Sequence, residues 1–482
     1  MSSPSSRADA PDSGTAPIGS SSLGAGMKGR HLVMMSLGSA IGAGLFVGSG
    51  AGIHTAGPAV LLSYVIAGIV VIIMMRSLGE LSAAHPSSGA FSVYTSRALG
   101  PAAGFTVGWL WWLQLCLVIA AESTAAAQLL NGLWPVFPQW VLALVFMVAF
   151  TAVNMLGVGK FGEFEFWFSM IKVGAVVAFL IVGIVFLLGG TPTESPGLSN
   201  LSDHGGFFPM GLGGVAAGLL VVAFAFGGIE IVAVAAAETE NPAQNIRRAV
   251  RTIVWRILIF YMGSVAIMVL AMPWNDENLL ASPFVAVLNT AGLPAVASIM
   301  AIVVTVALLS SLNANLYGAS RMIFSLSHRS LAPVALSRTN PRGVPVAAVL
   351  ASVAFGFVTV GLNYLWAEEI LGILLNIVGS TLIVIWTMTI VSHLVLRRRA
   401  EREGRELVLR AWGYPALSYV ALAGMVAVVI LGMTVPGVRQ QILLTAGLFA
   451  LLWIIGAVLA KRRGVTRFRA PEEFDDPAAM PR

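Results

Sequence analysis

The chain has 482 residues, of which 57% are hydrophobic and only 10% are charged, whereas a soluble domain carries about a quarter charged residues. This balance and a mean hydropathy of +0.87 argue against a soluble protein and indicate one with several membrane spans. The single cysteine, Cys116, excludes an intrachain disulfide or a cysteine-based metal site.

The predicted elements are a tail, twelve membrane spans and a second tail. Residues 1–27 are rich in Ser, Pro, Ala and Gly and predict a disordered tail, and residues 464–482 predict a second polar tail. A helix needs about 20 mostly apolar residues to cross the hydrocarbon, and residues 28–463 contain such runs near 31–52, 58–82, 104–130, 139–157, 164–189, 211–237, 250–273, 284–318, 344–363, 369–394, 413–433 and 439–460. The eighth run is overlong, and we interpret it as a helix that continues into the cytoplasm.

Lysine and arginine orient these spans. With the N-terminus inside, all but two of the 28 basic residues fall in the tails or in inside loops; Arg439 falls outside and Lys172 lies within a span. This asymmetry is the positive-inside signal. We therefore expect a multi-pass protein of the cytoplasmic (inner) cell membrane with both termini in the cytoplasm. The net charge of +6 then follows from topology, and no nucleic-acid partner is required.

The first span contains an unusual glycine run, GSAIGAGLFVGSG at residues 38–50. Each glycine in a helix interior costs about 1 kcal/mol relative to alanine. The spacing does not fit a dinucleotide-binding fingerprint, but it does fit GxxxG packing between helices, which stays open as an alternative. A broken helix is favoured because FAFGGIE, residues 224–230, interrupts the sixth span at the corresponding place. Paired interruptions of this kind point to the binding site of a transporter.

The two predicted breaks suggest a zwitterionic ligand. The free N–H groups of a half-helix favour a carboxylate, and freed carbonyls can hold an ammonium group, so we expect an amino acid. Phe226 is also a candidate aromatic gate. The candidate substrate-binding residues are Ser39, Ala40, Gly42, Ala43 and Gly44 in the first span and Phe224, Phe226, Gly227, Gly228 and Glu230 in the sixth.

Several motifs together resemble the amino acid–polyamine–organocation superfamily. Besides the glycine run, they include RSLGE at 76–80, HPSSG at 85–89, FGEFEFW at 161–167 and ETENP at 238–242. Within the superfamily the chain is similar to bacterial amino-acid permeases, and EIVAVAAAE and LAMPWN most resemble γ-aminobutyrate permeases. The resemblance implies an all-α membrane protein of two inverted five-helix repeats (spans 1–5 and 6–10) plus two extra helices. It also implies that spans 1 and 6 are unwound at mid-membrane and that uptake is driven by protons.

Ionisable residues inside spans are functional candidates, because each is costly unless it faces the bundle interior. Lys172 lies near mid-depth in the fifth span, where burial favours its neutral form, so it can load and release a proton. The resemblance matches it to a lysine whose ammonium sits where sodium-coupled relatives hold their ion. The alternative is a permanently paired lysine that ties the fifth span to the carbonyls of the first.

Further polar residues leave their roles open. Glu122 in the third span can partner Lys172, carry the coupled proton or bind the substrate amine, or it can be a neutral carboxyl held by a nearby hydroxyl. Ser310 and Ser311 are candidates to line the ion or substrate site, with hydrogen bonding between helices as the alternative. Glu238 is interpreted as a helix cap or as an ion-pair partner of Arg247 or Arg251.

The paired interruptions predict a secondary transporter of an amino acid, and the resemblance implies a proton-coupled symporter that imports γ-aminobutyrate by alternating access. A permease for neutral or aromatic α-amino acids is the alternative, and a channel or a membrane enzyme is the contrast from another class. A channel would show a polar stripe along a pore, and an enzyme would cluster His, Asp and Glu at a membrane face. We expect no enzymatic activity, no metal and no cofactor other than the proton gradient. The expected partners are the amino-acid substrate, protons and membrane lipid.

Overall fold

The computed structural model describes residues 41–87, 89–155, 158–231, 233, 244–248, 250–251, 257–367 and 370–462. Both predicted tails and the candidates Ser39 and Ala40 lie outside this range. The described residues form sixteen α-helices: α1 Ala43–Phe46, α2 Gly48–Ala56, α3 Val60–Ala84, α4 Ala90–Leu99, α5 Pro101–Leu133, α6 Gln139–Asn154, α7 Val158–Leu187, α8 Gly211–Ala225, α9 Gly263–Ala271, α10 Asn278–Ala281, α11 Pro283–Thr290, α12 Pro294–His328, α13 Val346–Leu365, α14 Ile370–Arg402, α15 Ala416–Gly432 and α16 Pro436–Arg462.

The helices confirm an all-helical, multi-pass architecture. Within the described residues, seven helical segments are long and apolar enough to cross a membrane, and α6, α8, α15 and the helix that ends in α9 are shorter apolar helices. The count of twelve spans is not confirmed and stays a prediction. One reason is that parts of the first, sixth and seventh predicted spans lie outside the described residues.

The predicted eighth span, 284–318, is wrong in its bounds. The chain forms the short helix α11 and then turns at Gly292, whose φ is 75°. The long helix α12 begins only at Pro294 and continues to His328. Glycine permits the positive φ, and proline is favoured in the first turn of a helix because it lacks the N–H that would be unpaired there. The overlong apolar run is therefore a short helix followed by one long helix.

The helix α5 lies at the centre of the bundle. It packs along α12 and also contacts α4, α13, α14 and α16. The helix α8 packs against α2 and α3, so the first and sixth predicted spans lie side by side. By contrast, α16 exposes apolar side chains such as Leu444, Leu451 and Ile454, as expected for a helix at the lipid-facing periphery. Among the large side chains that are fully buried is one cation, Lys172.

Candidate functional site

At the first predicted break the backbone of Gly42 is extended before α1 starts, and Val47 separates α1 from α2; the residues before Ile41 lie outside the described range. Ala43 is the first residue of α1, so its N–H has no partner within the helix. It donates to both carboxylate oxygens of Glu122 at 3.0 Å. A Cβ on Gly42 would lie 2.3 Å from Glu122 Oε1 and 2.4 Å from Ser311 Oγ. Glycine is thus required at position 42 for the carboxylate to reach the end of α1.

Glu122 is only 2% exposed and also accepts a hydrogen bond from Ser311 Oγ at 2.8 Å. The structure therefore brings together three of the residues that the sequence singled out, Ala43, Glu122 and Ser311. The sequence predicted a substrate carboxylate at the free amides of the first break. In the structure the carboxylate of Glu122 accepts the hydrogen bond of the Ala43 amide, and substrate binding there stays a prediction.

The second break follows Ala225, where α8 ends. Gly228 has φ of 94°, a conformation that favours glycine, and its N–H donates to Glu230 Oε2 at 2.8 Å. The other oxygen, Glu230 Oε1, accepts from Trp386 Nε1 on α14 at 2.9 Å. Glu230 is 1% exposed. Its carboxylate therefore satisfies a backbone donor at the break and ties the break to α14.

The two breaks touch through their backbones. A Cβ on Gly44 would lie 2.4 Å from Ala225 Cα and 2.9 Å from the carbonyl oxygen of Phe224. The ring of Phe224 lies beside Gly48. Gly44 therefore allows close helix packing, as the GxxxG alternative predicts, while Gly42 lies just before the start of α1.

Phe226 is fully buried in an aromatic cluster. Its ring centroid is 5.9 Å from that of Tyr64 on α3 and 4.9 Å from that of Tyr261. The structure thus places the candidate gate beside the second break, with both neighbouring rings on other elements of the bundle.

Lys172 lies in a second polar cluster, which includes a residue that the sequence analysis missed. Its Nζ is 3.9 Å from Glu165 Oε1, and both side chains are fully buried. Glu165 also accepts hydrogen bonds from Ser310 Oγ at 3.2 and 3.1 Å. A spacing of seven residues places Glu165 and Lys172 on the same face of a helix, two turns apart. This spacing, visible in the sequence, is the signal that could have identified Glu165.

The two clusters meet at neighbouring serines on α12. Ser310 donates to Glu165 and Ser311 donates to Glu122. The two buried carboxylates are therefore held by consecutive residues of one helix. Together with Lys172 they form a buried polar cluster inside the bundle.

The described residues thus bring the start of α1, the end of α8 and two buried carboxylates into one polar region. A model of the amino acid permease family matches residues 31–466. The chain belongs to this family. The match confirms the resemblance inferred from the motifs.

Several relatives of this permease are permeases or transport proteins by name, which agrees with a transporter rather than an enzyme. The γ-aminobutyric acid permease of Bacillus subtilis is 43% identical over 439 residues, which cover 91% of this chain and 94% of the relative. The aromatic amino acid transport protein AroP of Corynebacterium glutamicum is 47% identical over 416 residues, 85% of this chain and 90% of the relative. The γ-aminobutyric acid permease of Escherichia coli is 40% identical over 431 residues, 89% and 92% of the two chains. The identities to the γ-aminobutyric acid permeases and to the aromatic amino acid transport protein are similar, so overall sequence identity does not distinguish between their substrates.

Gln114 on α5 is a further buried polar residue that the sequence did not single out. Its side chain is 1% exposed, and among the described residues neither its Nε2 nor its Oε1 has a hydrogen-bond partner. The Nε2 atom lies 3.9 Å from the position that a Cβ on Gly227 would take. An unsatisfied buried amide costs about 1–3 kcal/mol. Gln114 is therefore a polar group beside the second break with both donor and acceptor available to a ligand.

Proposed function

We propose that this permease is a proton-coupled symporter that imports a small zwitterionic amino acid, γ-aminobutyrate, across the cytoplasmic membrane by alternating access. The positive-inside pattern supports an orientation with both termini in the cytoplasm. The observation that carries the proposal is the hydrogen bond from the Ala43 amide to the Glu122 carboxylate at the first break.

Coupling follows from competition for that amide. An ionised Glu122 is a strong acceptor for the Ala43 N–H, because hydrogen bonds to charged groups are stronger than neutral ones. A proton on Glu122 weakens this bond, and the substrate carboxylate then becomes the better acceptor at the end of α1. Substrate and proton therefore bind together, and both leave together on the other side.

The second cluster supplies the counter-charge. Lys172 faces Glu165 across 3.9 Å, and a buried carboxylate without its partner is strongly unfavourable. In our proposal the coupled proton passes between Glu165 and Glu122 by way of the hydroxyls of Ser310 and Ser311. The cation at Lys172 keeps the centre near neutrality while the proton moves. This gives Lys172 a coupling role in addition to pairing.

The close packing at the breaks supports an unbranched substrate. Gly44 has no space for even a methyl group against Ala225, and an ω-amino acid with a linear chain needs little width. Its carboxylate binds at the Ala43 amide, and the Oε1 atom of Gln114 is an acceptor available to the ammonium group.

An aromatic α-amino acid is the second candidate. The 47% identity to the aromatic amino acid transport protein of Corynebacterium glutamicum favours it. So does the aromatic cluster of Phe226, Tyr64 and Tyr261 beside the second break, because aromatic rings stack favourably on one another.

Uptake into proteoliposomes tests the proposal. Labelled γ-aminobutyrate is supplied outside under an imposed inward proton gradient, an inward sodium gradient or no gradient, and unlabelled ω-amino and aromatic α-amino acids compete. We expect accumulation only with the proton gradient and the strongest competition from ω-amino acids. Accumulation of an aromatic amino acid alone would replace the substrate, and accumulation driven by sodium would contradict proton coupling.

A further inference from the structure

A basic cavity lies at the arginine-rich end of the bundle, away from the two breaks. It has a volume of about 310 Å³ and is lined by four arginines, Arg76, Arg247, Arg251 and Arg410, together with Val250, Leu409 and Ala411. The arginines come from three parts of the chain, namely α3, the segment 244–251 and the loop before α15. We call this the arginine cavity.

The arginine cavity collects positive charge from four side chains. Among the residues that the structure describes, no carboxylate lies within ion-pair distance of its four arginines. Glu238, which the sequence suggested as a partner of Arg247 or Arg251, lies outside the described residues. Arg247, Arg251 and Arg410 are exposed and Arg76 is half-buried, so solvent screens the repulsion between them, and an anion bound between them would interact favourably with all four.

Glu80, an acidic residue close to Arg76 on α3, binds partners other than the cavity arginines. Glu80 follows Arg76 by four residues on α3, a spacing that allows an ion pair. Instead, Glu80 Oε2 accepts hydrogen bonds from Arg397 Nη1 and from the N–H of Ala411, both at 2.6 Å. Glu80 therefore fixes the loop that carries Arg410 and leaves Arg76 available.

Close packing at Gly79 and an arginine–tryptophan contact define the walls of the arginine cavity. Gly79 lets the neighbouring segments approach α3, because a Cβ there would lie 2.9 Å from Val250 Cγ2 and 3.5 Å from Leu409 Cδ2. Arg76 is half-buried, and its guanidinium lies 5.3 Å from the ring of Trp412. Its Nε atom is buried and has no hydrogen-bond partner among the described residues. The apolar floor and the stacked arginine position the donors before any ligand binds.

We propose that the arginine cavity binds a phosphate group. The planar fork of arginine matches the oxygens of a phosphate, with two parallel hydrogen bonds from one side chain. The phosphate belongs either to the headgroup of an anionic lipid in the adjacent leaflet or to a soluble phosphate compound. A bound phosphate joins α3, the segment 244–251 and the loop before α15.

Ligand-dependent thermal unfolding of the delipidated, full-length permease in detergent tests the proposal. One arm adds phosphatidylglycerol in mixed micelles, a second adds phosphatidylcholine, and a third adds inorganic phosphate, all at equal ionic strength. We expect a saturable rise of the unfolding midpoint with phosphatidylglycerol or with inorganic phosphate. The lipid arm alone identifies a headgroup site, whereas a rise with inorganic phosphate identifies a site for soluble phosphate.

Matched variants test whether a rise of the unfolding midpoint results from phosphate binding in the arginine cavity. Arg76→Gln and Arg410→Gln each remove one charged donor and should weaken phosphate binding about tenfold or more. Arg338→Gln, which removes an exposed arginine outside the cavity, should bind as the wild type does. Unfolding midpoints without ligand verify that each variant is folded. The proposal is refuted if neither phosphatidylglycerol nor inorganic phosphate gives a saturable rise, if phosphatidylcholine gives an equal rise, or if Arg338→Gln weakens binding as much as the cavity variants.

Discussion

Replacing Gly42 by alanine perturbs the contact on which the proposed coupling depends. The added methyl group would lie 2.3 Å from Glu122 Oε1, 2.4 Å from Ser311 Oγ and 2.8 Å from Ser311 Cβ. These distances are too short for any carbon, so the Glu122 side chain must move away from the Ala43 amide. The buried surroundings of Glu122 offer no solvent to replace the lost bonds, since the side chain is 2% exposed.

The size of the effect follows from the loss of one donor to Glu122, the Ala43 N–H. Hydrogen bonds to a charged group contribute about 1.5–3 kcal/mol each, and 1.4 kcal/mol corresponds to a factor of about ten. Loss of one bond should therefore reduce gradient-driven uptake by about 10- to 100-fold.

The assay is proton-driven uptake by Gly42→Ala, with Gly447→Ala on α16 as the matched control. A Cβ at Gly447 meets nothing within 4 Å, so this variant should transport within about twofold of the wild type. If Gly42→Ala transports as Gly447→Ala does, with the same dependence on the proton gradient, then the contact between Glu122 and the first break has no part in transport.

Two further predictions concern the other buried polar groups. Lys172→Ala leaves Glu165 buried without its cation, so it should lower the free energy of unfolding by about 3–5 kcal/mol and abolish the dependence of uptake on the proton gradient. The double variant Lys172→Met/Glu165→Gln should recover stability without recovering coupling, and a double variant that concentrates substrate would contradict the role of the pair. Gln114→Leu removes an unpartnered amide, so the substrate-free protein should gain about 1–3 kcal/mol of unfolding free energy while the KM for substrate rises. An unchanged KM would show that the amide of Gln114 does not contact the substrate.

The family and the interruption that follows Ala225 were predictable because they depend on local sequence. Glycine runs in apolar segments are visible without a structure, and so is the charge asymmetry of the loops. The bounds of the eighth span were missed because hydropathy alone does not distinguish one long helix from two. The turn residues Gly292 and Pro294 were present as signals in the sequence, and they outweigh the continuous apolar run.

The composition of the site was less predictable, because it depends on contacts between distant residues. Ala43 and Glu122 are 79 positions apart, and no spacing rule links them. The pairing of Lys172 with Glu165 follows a helical spacing and was accessible from the sequence. Gln114 differs, since its lack of a partner among the described residues emerges only when the helices around α5 are packed.

Proton movement on addition of substrate tests whether substrate enters together with a proton carried by Glu122. Proteoliposomes with wild-type permease are suspended in weakly buffered medium, and the external pH is recorded as γ-aminobutyrate is added. We expect the external medium to become more alkaline, because protons leave it together with the substrate. Glu122→Gln, which keeps an acceptor for the Ala43 amide but carries no titratable proton, should exchange labelled for unlabelled substrate without any pH change. An equal pH change in Glu122→Gln would contradict the account, because the coupled proton would then not reside on Glu122.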